Sequence, residues 1–232
     1  MRYMVLLIGI VTLGLHATQS ALEAFKQGDY QAAFTCYEQQ AHEGNVTAQN
    51  ALSYLYLNGL GTPKSETKGL EWLHKAATLQ SARAQYDLGM FYLQGNHVTK
   101  NHKEALRWLQ KASEQGYADA QYNLALMYYK GDATDQNVTK TAELLEQAAE
   151  QGHKRAIANV GRIYMQLLNF DKAALWLEKN ALEGDTEAYY LLAEIYCEQE
   201  KFSQAKQWAH KAKESGNTQV EALWQKYRLQ NY

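Results

Sequence analysis

The chain has 232 residues and a mass of 26.4 kDa, enough for one domain or a short repeat array. Its 46% hydrophobic and 21% charged residues exclude a disordered or fibrous polypeptide. Twenty-three basic against 25 acidic residues leave a net charge of -2, and the scattered basic groups exclude a nucleic-acid footprint or a polybasic membrane patch.

A single proline, Pro63, predicts an all-α fold, because sheet-rich domains and long loops normally use several. At the amino terminus, Arg2 precedes an apolar stretch from Met4 to Leu15, broken only by Gly9, Thr12 and Gly14, and small residues follow from Ala17 to Ala21. This pattern predicts a signal peptide over residues 1–20, cleaved after Ser20 or, as second choice, Ala17. As a helix the stretch would be about 18 Å long against a hydrocarbon core of about 30 Å, which disfavours the alternative of a permanent anchor. No cysteine lies nearby to carry a lipid. Loss of Arg2 leaves a net charge of -3, and the processed protein is expected in the periplasm or outside the cell, without a membrane span.

Beyond Ser20 the chain repeats itself. The segment from Ala48 to Tyr56 returns from Ala84 to Tyr92 and from Ala120 to Tyr128, with looser copies at Ala156 and Ala188. An independent column, Cys36, Trp72, Trp108, Leu144, Trp176 and Trp208, advances by the same steps of 36 and then 32 residues. Gly44, Gly116, Gly152, Gly184 and Gly216 follow that column by eight residues, and Gln80 alone breaks the series. The units fall at 21–45, 46–81, 82–117, 118–153, 154–185 and 186–216, with 217–232 as a cap.

Each unit reads as a helical hairpin. In the first helix the Ala, Leu and Tyr columns are four residues apart and share one face, while Ser53, Gly89, Ala125, Gly161 and Ala193 put a small residue where the second helix approaches. In the second helix Ala33, Gly69, Ala105, Thr141, Ala173 and Ala205 sit three residues before the large column. Gly59, Gly95 and Gly131 end first helices, and Asn101 with Glu104 predicts a capping box. The array opens with a short helix from Ala21 to Gln27 and closes with one from about Thr218 to Gln230.

These columns, with Leu-Gly-Met-Phe-Tyr-Leu-Gln-Gly at Leu88 to Gly95 and Ala-Leu-Arg-Trp-Leu-Gln-Lys-Ala-Ser-Glu-Gln-Gly at Ala105 to Gly116, resemble the Sel-one-like repeat family, relatives of the tetratricopeptide repeats. The resemblance covers nearly all of the chain beyond the signal, and the 32-residue units are closer to a shortened tetratricopeptide pattern. It implies a right-handed α-solenoid of about six hairpins plus a carboxy-terminal cap, acting as a protein-binding scaffold without chemistry of its own. It also implies an exported immunity protein that neutralises a toxic effector, or an envelope regulator. The alternatives are a secreted hydrolase of the β-lactamase-like kind proposed for cysteine-rich relatives, or a structural adaptor in envelope assembly.

Candidate chemistry is sparse, and neither an enzyme nor a cofactor is expected. Gly59 to Ser65 lacks the ending of a phosphate loop and follows a helix instead of a strand. His97 and His102 have no third ligand nearby, so no metal site is expected. His42, His74, His153 and His210 fall at helix ends or outward faces. Cys36 and Cys197 are separated by four hairpins, tens of ångströms at about 9 Å per helix, against the 7 Å or so that a bridge tolerates, so no intrachain disulfide is expected. Cys36 should be a core residue and Cys197 partly exposed. The sequons at Asn45 and Asn137 read as helix caps.

The remaining surface is the face of the first helices. Its outward columns hold Thr47, Arg83, Asp119, Arg155 and Glu187, with Asn50, Tyr54, Tyr86, Met90, Tyr122, Leu126, Arg162 and Tyr190 as the candidate partner-binding residues. Tyrosine supplies 17 of the chain's aromatic residues and combines apolar area with a polar tip, as interfaces favour. Tyr86, Met90, Tyr122 and Leu126 are expected to form the centre of that site. Packing between repeats is the competing role for these tyrosines.

Overall fold

The computed structural model describes residues 20–232, so the signal-peptide segment lies outside the described residues. These residues are helical throughout, with no strand among them. A described helical segment at 20–26, α1, is followed by α2 (Tyr30–His42), α3 (Val46–Asn58), α4 (Glu66–Thr78), α5 (Ala82–Gln94) and α6 (His102–Glu114). After these come α7 (Ala118–Lys130), α8 (Val138–Glu150), α9 (Lys154–Gln166), α10 (Phe170–Leu182), α11 (Thr186–Glu198), α12 (Phe202–Glu214) and α13 (Val220–Lys226). They form two compact units, the first ending at Tyr117 and the second running from Ala118 to Tyr232.

From α2 onward, every helix within each unit packs on the next in sequence. The expected columns build this packing. Ala48, Leu52 and Tyr56 are buried together on α3, as are Ala188, Leu192 and Tyr196 on α11. At the small positions the helices leave no space: a Cβ on Gly89 would stand 2.7 Å from Leu109 Cγ, and one on Gly69 would stand 2.6 Å from Leu57 Cδ2.

Capping sets where helices begin. Asp29, Asn45, Ser65, Ser81, Asn137, Asn169 and Asp185 each accept a backbone N–H of the first turn that follows, which fits both sequon asparagines to the cap role. At Asn101 only half of the expected capping box forms. Its Oδ1 accepts from Lys103 and Glu104, but its own N–H donates to Tyr92 O at 2.9 Å, so Glu104 turns to Arg107 instead. The equivalent backbone bond links Ser65 to Tyr56 and Asn169 to Tyr164, so long and short interhelical loops both keep it.

Between hairpins the chain turns through the left-handed region, where a Cβ is strained. Glycine fills this position except at Gln80, which still adopts a φ of 63°. The final helix is shorter than expected: α13 stops at Lys226, Arg228 takes a φ of 50°, and a 3-10 turn spans Leu229–Asn231. That break buries Leu229 completely and lets Tyr232 stack on Phe202 at 4.6 Å, gains that an unbroken helix would forgo.

The cysteine expectation that reverses is that for Cys197, whereas Cys36 packs against the core. Cys197 is buried on α11, where burial pushes its thiol up to about 11, and Cys36 is half-buried; both are free. Phe34 and Tyr37 fill the core beside Cys36.

Candidate functional site

A groove of about 550 Å³ opens on the first unit, along the first helices α1, α3 and α5. That volume lies within the ordinary range of binding clefts. Leu22 and Phe25 form one wall, Thr47, Asn50 and Tyr54 the middle, and Arg83, Asp87 and Phe91 the other wall, with His97 at the end. Helical spacing explains the alignment, because Asn50 with Tyr54 and Arg83 with Asp87 are four-residue pairs on single faces.

The groove is mostly apolar with one charged edge. Tyr54 is 52% exposed and meets Phe25 edge-on at 6.1 Å between ring centres. Arg83 Nε bonds both Asp87 carboxylate oxygens, at 3.0 and 3.1 Å. Burial pushes the Asp87 carboxyl above its ordinary value, and Arg83 only partly offsets this. Asn50 Oδ1 is buried without a protein partner. His97 Nδ1 lies 3.1 Å from Glu66 Oε1. No cluster of three metal-ligating side chains occurs among the described residues.

Of the expected binding residues, Asn50 and Tyr54 line this groove; Tyr86 and Met90 are half-buried in the same unit but do not. Tyr86 packs against Tyr117 with ring centres 5.2 Å apart. Tyr122, Leu126, Arg162 and Tyr190 belong to the second unit. Tyr122 stacks on His153 at 4.6 Å, and His153 both caps α9 and places Nε2 3.3 Å from Asp119. Arg162 bonds Glu187 at 2.7 Å and reaches Asp185 at 3.4 Å. Packing against the last residue of their own repeat unit therefore uses Tyr86 and Tyr122. His74, expected on the surface, is also half-buried, against Trp108.

Several structural columns escaped the sequence reading. Gln49, Gln85 and Gln121 are buried, and Gln49 and Gln85 donate to Ala41 O and Ala77 O in the preceding hairpin. Tyr56, Tyr164 and Tyr196 bond Glu38, Glu146 and Glu178 eighteen residues earlier. Lysines three residues after Trp72, Trp108, Trp176 and Trp208 lie over their rings. The constant spacing of each set was the available signal.

The Sel1 repeat profile matches residues 46–81, 82–117, 118–153, 155–185 and 186–217. The chain belongs to the Sel1 repeat family. It is similar to the crystal structure of a Sel1 repeat protein from Oxalobacter formigenes, at 30% identity with a TM-score of 0.70, over 89% of this chain and 88% of that one. It is also similar to c5321, a protective antigen of uropathogenic Escherichia coli with this repeat fold, at 25% identity and a TM-score of 0.50, over 92% of this chain and 57% of that one. No curated protein matches it in sequence. The helical hairpins thus form a Sel1 repeat scaffold. None of the described helices is long and apolar enough to cross a membrane.

Proposed function

We propose that this Sel1 repeat protein is exported and holds a segment of another protein in the groove of its first unit. The observation that carries the reading is the alignment of Leu22, Phe25, Asn50 and Tyr54 in one cleft, apolar walls around few polar groups, with the charged Arg83 and Asp87 at its edge. Arg2 and the apolar stretch after it support export, and the likeness to a protective antigen points the same way. The partner is then an envelope protein, and we infer a toxic effector that the scaffold neutralises, with an envelope regulator as the other member of that class. Tyr86 and Met90, on α5 of the same unit, would extend the contact outside the groove.

Capture from the native envelope fraction, with the processed protein as bait, tests this. The protein should retain a defined partner that a Tyr54→Ala variant loses. Retention of the same partner by both would contradict the groove, and an intact Met1 on the purified protein would contradict cleavage of the leader.

A further inference from the structure

The walls of the first-unit groove offer side chains but little backbone. Carbonyls at the helix ends that border it already have donors: Phe25 O accepts from Gly28, Leu55 O from Gly59 and Leu60, and Phe91 O from Gly95 and Asn96. Along the interior of α1, α3 and α5 the N–H and C=O groups bond within each helix. The uncharged polar side chains that line the groove and reach the surface, Thr47, Asn50, Tyr54 and Asn58, all come from α3. Asn58 Nδ2 is used on Tyr54 O, at 2.8 Å. The α1 wall is Leu22 and Phe25, and on the α5 wall Arg83 and Asp87 bond each other beside Phe91.

An extended ligand is costly in such a groove. Crossing three helices about 9 Å apart takes about 18 Å, or about six extended residues with one N–H and one C=O each. Most of these groups would meet Leu22, Phe25 and Phe91, and a buried backbone group without a partner destabilises a complex. A helix satisfies its own backbone and covers the same span with about twelve residues. Charge favours an apolar stripe on it. Arg83 is held by Asp87, and Glu66 lies between Lys64 and His97, so an uncharged face leaves these ions paired as they are. Leu22 and Tyr54, 44% and 52% exposed, are the apolar area that the stripe would cover.

Taking the groove as the partner site, we propose that its occupant is an amphipathic helix of about three turns, its uncharged apolar stripe laid on Leu22, Phe25 and Tyr54 and its polar side turned to solvent.

Selection of displayed random peptides of about 16 residues on the processed protein tests this, with counter-selection on Tyr54→Ala and Leu22→Glu. Both residues are exposed enough to be replaced without unfolding, which thermal melts check. Peptides specific to the native groove should carry apolar residues at i, i+3 or i+4, and i+7. Fluorescence anisotropy should show about 100-fold weaker binding when a central peptide residue becomes proline, and little change when the first does. Groove-specific peptides that keep their affinity with a central proline would show an extended occupant; they would overturn the helix and leave the groove as the partner site. An empty selection, or peptides that bind both variants as well as the native chain, would remove the groove and the helix with it. Self-association of the native chain that both variants lose, seen by sedimentation velocity, would give the groove to a second copy and also overturn the proposal.

Discussion

Gln115 Nε2 donates to the buried Gln85 Oε1 at 2.7 Å, and thirty residues likewise separate the partners in the equivalent bond from Gln151 to Gln121, also 2.7 Å. The same spacing from Gln49 leads to Leu79, which has no donor to offer. Gln49 Oε1 is accordingly buried without a protein partner, while Leu79 is exposed. A buried acceptor lacking a hydrogen bond weakens the fold, and restoring one contributes about 1 kcal/mol. Leu79→Gln should therefore raise the melting midpoint by about 2–4 °C. An unchanged or lower midpoint in a calorimetric scan would show that Gln49 is satisfied otherwise.

Gln80 occupies the left-handed turn that glycine fills in the other hairpin junctions, at a φ of 63°. The strain of a side chain there exceeds the extra freedom that glycine gives the unfolded chain. Gln80→Gly should stabilise the protein by about 0.5–1 kcal/mol, measured by urea titration with an unchanged slope.

Gly89 and Leu109 leave no volume between α5 and α6. Gly89→Leu should cost about 1–3 kcal/mol through overpacking. A melting midpoint equal to that of the native chain would contradict the register of the helical hairpin.

Glu146 accepts hydrogen bonds from Tyr164 Oη and Lys172 Nζ, both at 2.7 Å, and from Trp176 Nε1 at 3.4 Å. Burial alone would raise its pKa, but these donors hold it below the ordinary 4.5. A depressed carboxylate stabilises the fold above about pH 4.5 and loses that contribution as pH falls through its folded value. Glu146→Gln should cost about 1 kcal/mol at pH 7, and the gap from the native chain should narrow as the pH is lowered toward 3. A gap of constant size in melts across that range would assign the loss to packing alone.

The architecture was legible because it is periodic. Ala, Leu and Tyr at four-residue steps and a large column keeping the same steps of 36 and 32 could be read without any long-range contact. The site was less legible, since outward columns name a face but not where that face becomes concave. Tyr86 and Tyr122 satisfied the face criterion and are used in packing against Tyr117 and His153, whereas Phe25 and Phe91 came to the groove through contacts that periodicity does not encode. The break at Arg228 was hidden for a related reason: it depends on the burial of Leu229 and on Tyr232 stacking against Phe202.

The central claim is that the groove of the first unit holds the partner, and calorimetric titration of the captured partner tests it most directly. Tyr54→Ala, at the middle of the groove, should weaken binding by about 2 kcal/mol, roughly 30-fold, as expected for an exposed aromatic anchor. Arg107→Ala, on the second helix α6 and outside the groove, should leave the affinity within about twofold, because charges remote from the contact contribute little. Full affinity in Tyr54→Ala together with loss of binding in Arg107→Ala would contradict the account.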